Sequence, residues 1–165
     1  MKYSNNTANN TYVGLLKTIL NEGQPTSPRG QRTLELVGMR SMFDTNHPVV
    51  TNRARTVSYT FMFAEALWIL SGSDKVSDIA PYNKNISQFS DDGKVFYGAY
   101  GPRVVGQLMY VASKLIQDPD TRQAVMTIWR QNPLPSKDIP CTISTQFIIR
   151  HNRLHTCLLY TSDAA

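Results

Sequence analysis

Residues 118–147 carry two strand-like segments joined by a proline-rich loop, and they constrain the fold more than any other part of the chain. After Asp118-Pro119, which ends a predicted helix, Ala124–Trp129 and Ile143–Ile149 are rich in apolar and β-branched residues and predict strands. The loop between them ends at Pro140-Cys141. A lone cysteine is more often a small buried hydrophobe. On a turn beside a strand, with the cation Arg122 upstream to lower its pKa, it is also a candidate nucleophile, which acts as the thiolate.

The rest of the chain mixes helix and strand patterns without regular βαβ alternation, which favours an α+β fold with helices packed on one face of a bent sheet. The predicted elements are a helix through Tyr12–Leu20 that ends at Glu22-Gly23, a loop over Gln24–Arg32, a strand over Thr33–Phe43, a buried helix over Val57–Leu70, a turn at Ser90–Gly93 and an amphipathic helix over Val104–Ile116.

Composition bounds the class of protein without selecting a function. The 165 residues are 41% hydrophobic and 18% charged, which is typical of one globular domain, and the Asn-rich start lacks the apolar stretch of a signal peptide. We therefore expect a cytoplasmic protein. The two cysteines indicate no disulfide framework. A net charge of +5 suits an anionic ligand such as a nucleotide, and equally suits nonspecific contact with nucleic acid.

Several short motifs, in order along the chain, resemble the thymidylate synthase family, which also includes the pyrimidine nucleotide hydroxymethylases. The matching residues are Glu65–Gly72, Gly98–Gly101, Asp120-Thr121-Arg122, Trp129, Leu134-Pro135, Pro140-Cys141 and Gln146-Phe147. The resemblance implies a thymidylate synthase-like α+β fold, a homodimer, and a catalytic domain that continues beyond this chain.

The resemblance also implies a reaction and roles for its residues. A one-carbon unit from 5,10-methylenetetrahydrofolate would be transferred to carbon 5 of dUMP, giving dTMP, with Cys141 as the nucleophile that adds to carbon 6. Glu65 would relay protons, since a carboxyl on an apolar helix can have a raised pKa and act as acid or base. Tyr100 would assist proton removal, and Arg122 would bind the substrate phosphate across the dimer interface.

Departures from the family pattern leave some residues of the site without a unique assignment. Arg29 is the first choice for a phosphate ligand in the N-terminal loop, and a slip of the loop would favour Arg32. Gln123 replaces a second arginine beside Arg122, and Thr142 replaces the histidine that usually follows the nucleophile. These differences resemble the divergent branch in which hydroxymethylases occur, so deoxycytidylate (dCMP) hydroxymethylase is the alternative enzyme.

A different class of function is a non-catalytic module that binds nucleotides or RNA. Its candidate stacking residues are aromatic: Phe89, Phe96, Tyr97 and Tyr100. Core packing is the simpler interpretation of these side chains, and no clustered Lys/Arg stripe accompanies them. We also predict no metal site, because His47, His151 and His155 lack the partners that a metal needs.

The last residues require a separate interpretation. Cys157–Ala165 resembles one reading frame of a transposon adapter used in sequencing-library preparation. We therefore interpret residues 1–155 as a catalytic domain that is incomplete at its C-terminus, and residues 156–165 as an adapter-derived tail. The alternative is that Cys157–Tyr160 is a strand of the family fold. In either case we expect no turnover by the 165-residue chain alone.

Overall fold

The computed structural model describes residues 6–161, apart from the side chain of Arg29, and these residues fall into two compact units. The first unit runs to Ser58, and the second begins at Tyr59. The first unit contains helix α1 (Ala8–Glu22) and strands β1 (Gln24–Thr26) and β2 (Thr33–Glu35). The second contains helices α2 (Tyr59–Leu70), α3 (Val76–Ile79) and α4 (Gly101–Gln117) and strands β3 (Val125–Thr127), β4 (Thr142–Arg150) and β5 (Arg153–Tyr160).

Helix α1 begins and ends where local chemistry satisfies its backbone. The Thr7 hydroxyl accepts a hydrogen bond from the backbone N–H of Asn10 (3.1 Å), which is a standard N-terminal cap. At the other end the N–H of Gly23 donates to the carbonyl of Ile19 (2.8 Å), and a Cβ at Gly23 would collide with that same oxygen. The predicted end of the helix at Glu22-Gly23 is confirmed.

The segment after α1 differs from its prediction. Gln24–Thr26 was predicted to be loop, but it forms β1 and pairs antiparallel with β2. The predicted strand over Thr33–Phe43 is wrong beyond Glu35. Gly38 has a positive φ of 75°, which a continuing strand cannot accommodate, and the chain turns there instead.

The second unit is built on an antiparallel sheet of order β3-β4-β5. Val125 pairs with Gln146, and Thr127 pairs with Ser144. Strands β4 and β5 form a hairpin through His151 and Asn152, whose positive φ angles of 51° and 59° match a two-residue turn of the type that suits twisted strands. The two strands predicted around the proline-rich loop are confirmed, with ends that differ by one or two residues.

Two apolar clusters hold the second unit together. In the first, buried residues of α4 pack on β3 and its flanks, with half-buried residues around them: Val104, Val111, Ala124, Met126 and Ile128, with Ile69, Tyr100, Leu108, Leu115 and Phe147. In the second, residues of α3 and the segment before α4 pack on α2: Val76, Ile79, Phe96 and Ala99, with Phe61, Ala64, Trp68, Ala80 and Ile86. The structure confirms the α+β class and places α4 against β3 and β4.

Helix α2 was predicted to be buried, and that prediction is wrong. None of its residues is fully buried. Phe61 and Trp68 pack inward, but the side chains of Phe63 and Leu67 are 65% and 68% exposed. The helix is apolar on both faces, so its composition could not show that only one face has a packing partner among the described residues.

The end of the chain, as far as residue 161, is folded onto the sheet. Cys157 pairs with Gln146, and Leu158 pairs with Thr145. The interpretation of residues 156–165 as an adapter-derived tail stays a prediction, which sequencing of the source DNA tests. Between residues 6 and 161 no helix is long and apolar enough to cross a membrane.

Candidate active site

The segment from Phe96 to Gly101 positions a tyrosine at the start of β4. Phe96 and Ala99 are buried in the cluster on α2, whereas Tyr100 packs in the cluster under the sheet, so packing on both sides fixes this segment. The Tyr100 hydroxyl accepts a hydrogen bond from the backbone N–H of Thr142 (3.1 Å) and donates to the Thr142 Oγ1 (3.2 Å). The phenol group therefore lies against the residue that follows Cys141.

Cys141 is presented to solvent from a fixed backbone. Its neighbours Pro140 and Thr142 are buried, while Cys141 itself is exposed. The Cys141 carbonyl accepts a hydrogen bond from the backbone N–H of Thr161 (2.8 Å). This combination suits a nucleophile, because the thiol is accessible to a substrate while the chain that carries it is held on both sides.

The loop that leads to Cys141 is tethered to residues 91–100. The carboxylate of Asp91 accepts hydrogen bonds from the Ser136 hydroxyl (2.6 Å) and the Lys137 N–H (3.1 Å), and these bonds lower the pKa of Asp91. The Tyr97 hydroxyl accepts from the N–H of Leu134 (3.1 Å). Sequence reasoning recognised a turn at Asp91, but a turn motif does not specify a partner 45 residues away.

Two arginines near Tyr97 were also missed from the sequence. The guanidinium groups of Arg103 and Arg130 lie 5.9 and 4.9 Å from the centre of the Tyr97 ring. The N–H of Trp129, next to Arg130, donates to the carbonyl of Ile143 (3.2 Å). Arg130 thus follows β3 at the same end of the sheet as Cys141.

Glu65 lies in the middle of α2 and is half-buried. Helical spacing places it on one face with Phe61 and Ile69, which pack in the two apolar clusters. Burial disfavours the charged carboxylate and raises the pKa of Glu65 above its ordinary value. A raised pKa is what a group that both accepts and returns a proton near neutral pH requires.

We expect Glu65→Gln to increase stability while it decreases turnover. The raised pKa of Glu65 means that the folded state binds its proton more tightly than the unfolded state does. Stability therefore falls as pH rises through that pKa, and glutamine removes this loss. The melting temperature of the variant should exceed that of the wild type at pH 7 and equal it below about pH 4. Turnover by the full-length protein, meaning the product of the reading frame followed beyond residue 155 in its source DNA, should fall roughly 10²- to 10⁴-fold. Exposed Glu35→Gln is the control, and an equal gain in that variant would contradict the burial argument.

Arg122 lies far from Cys141 within one chain. Its guanidinium is exposed, and its backbone is held by Gln146, whose Nε2 donates to the Arg122 carbonyl (3.0 Å). Val125 at the start of β3 pairs with Gln146, and Arg122 precedes β3, so Arg122 lies toward the opposite end of β4 from Cys141. The five strand residues from Cys141 to Gln146 alone correspond to roughly 17 Å. Arg122 is therefore not the cation beside the thiol that its place upstream in the sequence had indicated.

The cleft around Arg122 is polar and has a volume of about 500 Å³. Its lining residues are Lys114, Gln117, Asp118, Asp120, Thr121, Arg122 and Gln123. Arg150 donates to the carbonyl of Asp120 (3.1 Å) and lies 3.8 Å from its carboxylate, so the Asp-Thr-Arg turn is fixed from β4. The cleft presents two cations, Lys114 and Arg122, beside the carboxylates of Asp118 and Asp120.

The N-terminal phosphate candidates belong to the first unit. Arg32 is exposed and lines a small cleft of about 210 Å³ with Pro25, Thr26, Thr33 and Leu34. The side chain of Arg29 lies outside the described residues. The choice between Arg29 and Arg32 stays a prediction. Between residues 6 and 161 no group of three or more His, Cys, Asp or Glu side chains is placed to hold a metal ion.

The fold defined by these elements is that of a known class of enzymes. A thermostable thymidylate synthase A from Bacillus subtilis superposes on 92% of this chain and 63% of its own, with a TM-score of 0.72 and 22% sequence identity. The sequence profile of the thymidylate synthase family matches residues 10–163, and the chain belongs to that family. A deoxyuridylate hydroxymethyltransferase from Bacillus phage SP01 is 35% identical in an alignment of 167 positions, which covers 87% of this chain and 43% of the relative. The chain thus spans less than half the length of that relative.

Proposed function

We propose that the full-length protein transfers a one-carbon unit from 5,10-methylenetetrahydrofolate to carbon 5 of dUMP through a covalent adduct with Cys141. By full-length protein we mean the product of the reading frame followed in its source DNA beyond residue 155. The observation that carries the proposal is the exposed Cys141 thiol, held between buried Pro140 and Thr142 with the Tyr100 hydroxyl against the Thr142 backbone. A module that only binds nucleotides needs no such thiol.

The chemistry assigns a distinct step to each residue. The Cys141 thiolate forms a bond to carbon 6 of the pyrimidine, which moves electron density to carbon 5 and makes that carbon a nucleophile. Methylenetetrahydrofolate supplies the electrophilic methylene, whose bond to carbon 5 forms as its bond to folate nitrogen breaks. Tyr100 and Glu65 assist removal of the carbon 5 proton, which expels the remaining folate nitrogen and leaves an exocyclic methylene at carbon 5. Hydride or water then adds to that methylene, and the sulfur–carbon 6 bond breaks to release the product and regenerate the thiolate.

We further propose that the protein works as a homodimer. Arg122 precedes the Val125–Gln146 pair and so lies roughly 17 Å or more along β4 from Cys141, a distance greater than the length of a nucleoside monophosphate. If Arg122 binds the phosphate of a nucleotide attached to Cys141, the two residues therefore belong to different chains. A guanidinium suits this role because it can bind two phosphate oxygens at once.

The fate of the methylene group separates two candidate products. Reduction by hydride from the folate gives dTMP, the product predicted from the sequence. Addition of water gives 5-hydroxymethyl-dUMP, which is favoured by the 35% identity to the phage deoxyuridylate hydroxymethyltransferase. The corresponding reaction on dCMP is the sequence-based alternative.

Intact mass spectrometry of the full-length protein tests the proposal. Incubation with 5-fluoro-dUMP and methylenetetrahydrofolate should give a covalent adduct that contains both molecules, because fluorine at carbon 5 cannot leave as a proton. Omission of the folate is the control. Absence of the adduct with both 5-fluoro-dUMP and 5-fluoro-dCMP would contradict the proposed function.

Product analysis with the natural substrates then assigns the reaction. Conversion of dUMP to dTMP with formation of dihydrofolate identifies a synthase. Conversion to 5-hydroxymethyl-dUMP with recovery of tetrahydrofolate identifies a hydroxymethylase. Turnover of dCMP in place of dUMP would identify the deoxycytidylate enzyme.

A further inference from the structure

One peptide group beside the candidate active site is held at both of its polar atoms by side chains of opposite charge. The N–H of Gly98 donates to the Asp138 carboxylate (2.7 Å), and the carbonyl of Tyr97 accepts from Arg103 Nη2 (2.6 Å). These are the two polar groups of the single peptide bond between Tyr97 and Gly98. Because they point in opposite directions from a trans peptide, Asp138 and Arg103 grip it from opposite sides.

The charges match the polarity of the peptide. The carboxylate lies at the N–H, which carries partial positive charge, and the guanidinium lies at the carbonyl, which carries partial negative charge. Hydrogen bonds of this kind, with one ionised partner, are stronger than neutral ones. The Nε and Nη1 atoms of Arg103 are buried, and neither has a hydrogen-bond partner among the described residues. The bond to the Tyr97 carbonyl therefore compensates, together with the Tyr97 ring and the charge of Asp138, for burying this side chain.

Residue 98 fits this arrangement only as glycine. A Cβ there would lie 2.6 Å from the carbonyl oxygen of Asp138 and 2.9 Å from its carboxylate carbon. Both contacts are with the residue that accepts the hydrogen bond, so a side chain at position 98 would push the two segments apart. The contact between residue 98 and Asp138 therefore requires glycine at position 98, in addition to the hydrogen bond.

Asp138 and Arg103, bonded to the peptide group between Tyr97 and Gly98, form what we call the clamp. The clamp joins the two segments that bring Tyr100 and Cys141 together. Asp138 stands three residues before Cys141, and Gly98 stands two residues before Tyr100. We infer that Asp138 is a positioning residue, which holds the Tyr100 hydroxyl against the backbone of Thr142 and so fixes the Cys141 thiol for attack on the substrate. This inference rests on the proposed function for its effect on turnover, but not for its effect on structure.

Burial of the Asp138 carboxylate disfavours its ionised form. Burial raises the pKa of Asp138, an effect that the Gly98 N–H and the charge of Arg103 oppose and the charge of Asp91 reinforces. Asparagine keeps an oxygen acceptor for Gly98 and removes the buried charge, whereas alanine removes the acceptor. We therefore expect the hydrogen bond from Gly98 to Asp138, more than the charge of Asp138, to position Tyr100 and Cys141.

Steady-state kinetics of the full-length protein test the inference. Asp138→Ala should lower kcat about 100-fold, the effect of a misplacement of about 1 Å, with KM for dUMP changed less than about threefold. Asp138→Asn should recover kcat to within about threefold of the wild type. Gly98→Ala should resemble Asp138→Ala, and the double variant should lose no more than either single one, because both remove the same contact.

Amide hydrogen exchange provides a readout that does not depend on the reaction. In Asp138→Ala the N–H of Thr142, which donates to the Tyr100 hydroxyl, should exchange about tenfold faster than in the wild type. Asp91→Ala is the matched comparison, because it releases Ser136 and Lys137 from the same loop while the Asp138 carboxylate keeps its hydrogen-bond donor, the N–H of Gly98. An unchanged Thr142 exchange rate in Asp138→Ala, or equal effects of Asp91→Ala on exchange and kcat, would overturn the inference.

The two proposals fail in different ways. If the wild type forms no adduct with either fluorinated nucleotide, the proposed function fails, and the exchange rate of Thr142 still decides whether the clamp exists. If the wild type turns over and Asp138→Ala raises KM while kcat stays constant, Asp138 contributes to ligand binding, and its positioning role is wrong.

Discussion

Replacement of Cys141 by serine should lower kcat of the full-length protein by roughly 10⁴-fold or more and eliminate the covalent adduct with 5-fluoro-dUMP. A serine hydroxyl is not ionised near neutral pH, whereas a thiol supplies an appreciable fraction of thiolate. The rest of the site should survive, because Cys141 is exposed and packs against little. Single-turnover kinetics and intact mass measure the two losses.

The control for this prediction is noncovalent binding by the same variant. Cys141→Ser should bind dUMP with a Kd within a fewfold of the wild type, since the substitution changes one atom of an exposed side chain. Turnover within tenfold of the wild type, or an adduct of unchanged yield, would exclude Cys141 as the nucleophile. An adduct on another residue would identify that residue as the nucleophile.

The parts of the fold that local chemistry dictates were predictable from the sequence. The end of α1 at Gly23 depends on contacts four residues apart, and the β3 and β4 strands follow from their apolar and β-branched residues. The predicted strand beyond Glu35 was wrong because a single glycine with positive φ overrides the propensity of its neighbours. The burial of α2 was overestimated because apolar composition does not show which face has a partner.

In the candidate site, too, the residues that belong to short motifs were predictable and the long-range contacts were not. Cys141, Glu65 and Tyr100 were found through short motifs, and the structure brings Tyr100 to the residue after Cys141. Sequence reasoning missed the clamp, because Gly98 and Asp138 are 40 residues apart and the Gly98–Gly101 motif does not specify a partner for its first residue. A glycine two residues before a motif tyrosine was the only available signal, and glycine has many other uses.

The opposite positions of Arg122 and Cys141 on the sheet lead to a prediction about two chains. A homodimer of Arg122→Glu should lose nearly all turnover through charge reversal at the substrate phosphate, and a homodimer of Cys141→Ser should lose it through the missing thiol. When the two variants are unfolded together and refolded, half of the randomly paired dimers contain one chain of each kind. One of the two sites in such a dimer combines a native Cys141 with a native Arg122 of the other chain.

Mixing should therefore restore about a quarter of wild-type turnover, since half of the dimers are mixed and each has one competent site of two. A mixture of Cys141→Ser with Cys141→Ala is the control, and it should stay inactive because no pairing supplies a thiol. If the Arg122→Glu mixture recovers nothing while native mass spectrometry shows mixed dimers, Arg122 does not serve the partner's site. The separation of roughly 17 Å or more along β4 would then leave it without contact to a nucleotide on Cys141. Recovery near a quarter would instead show that each site is assembled from both chains, with the nucleophile from one and the phosphate ligand from the other.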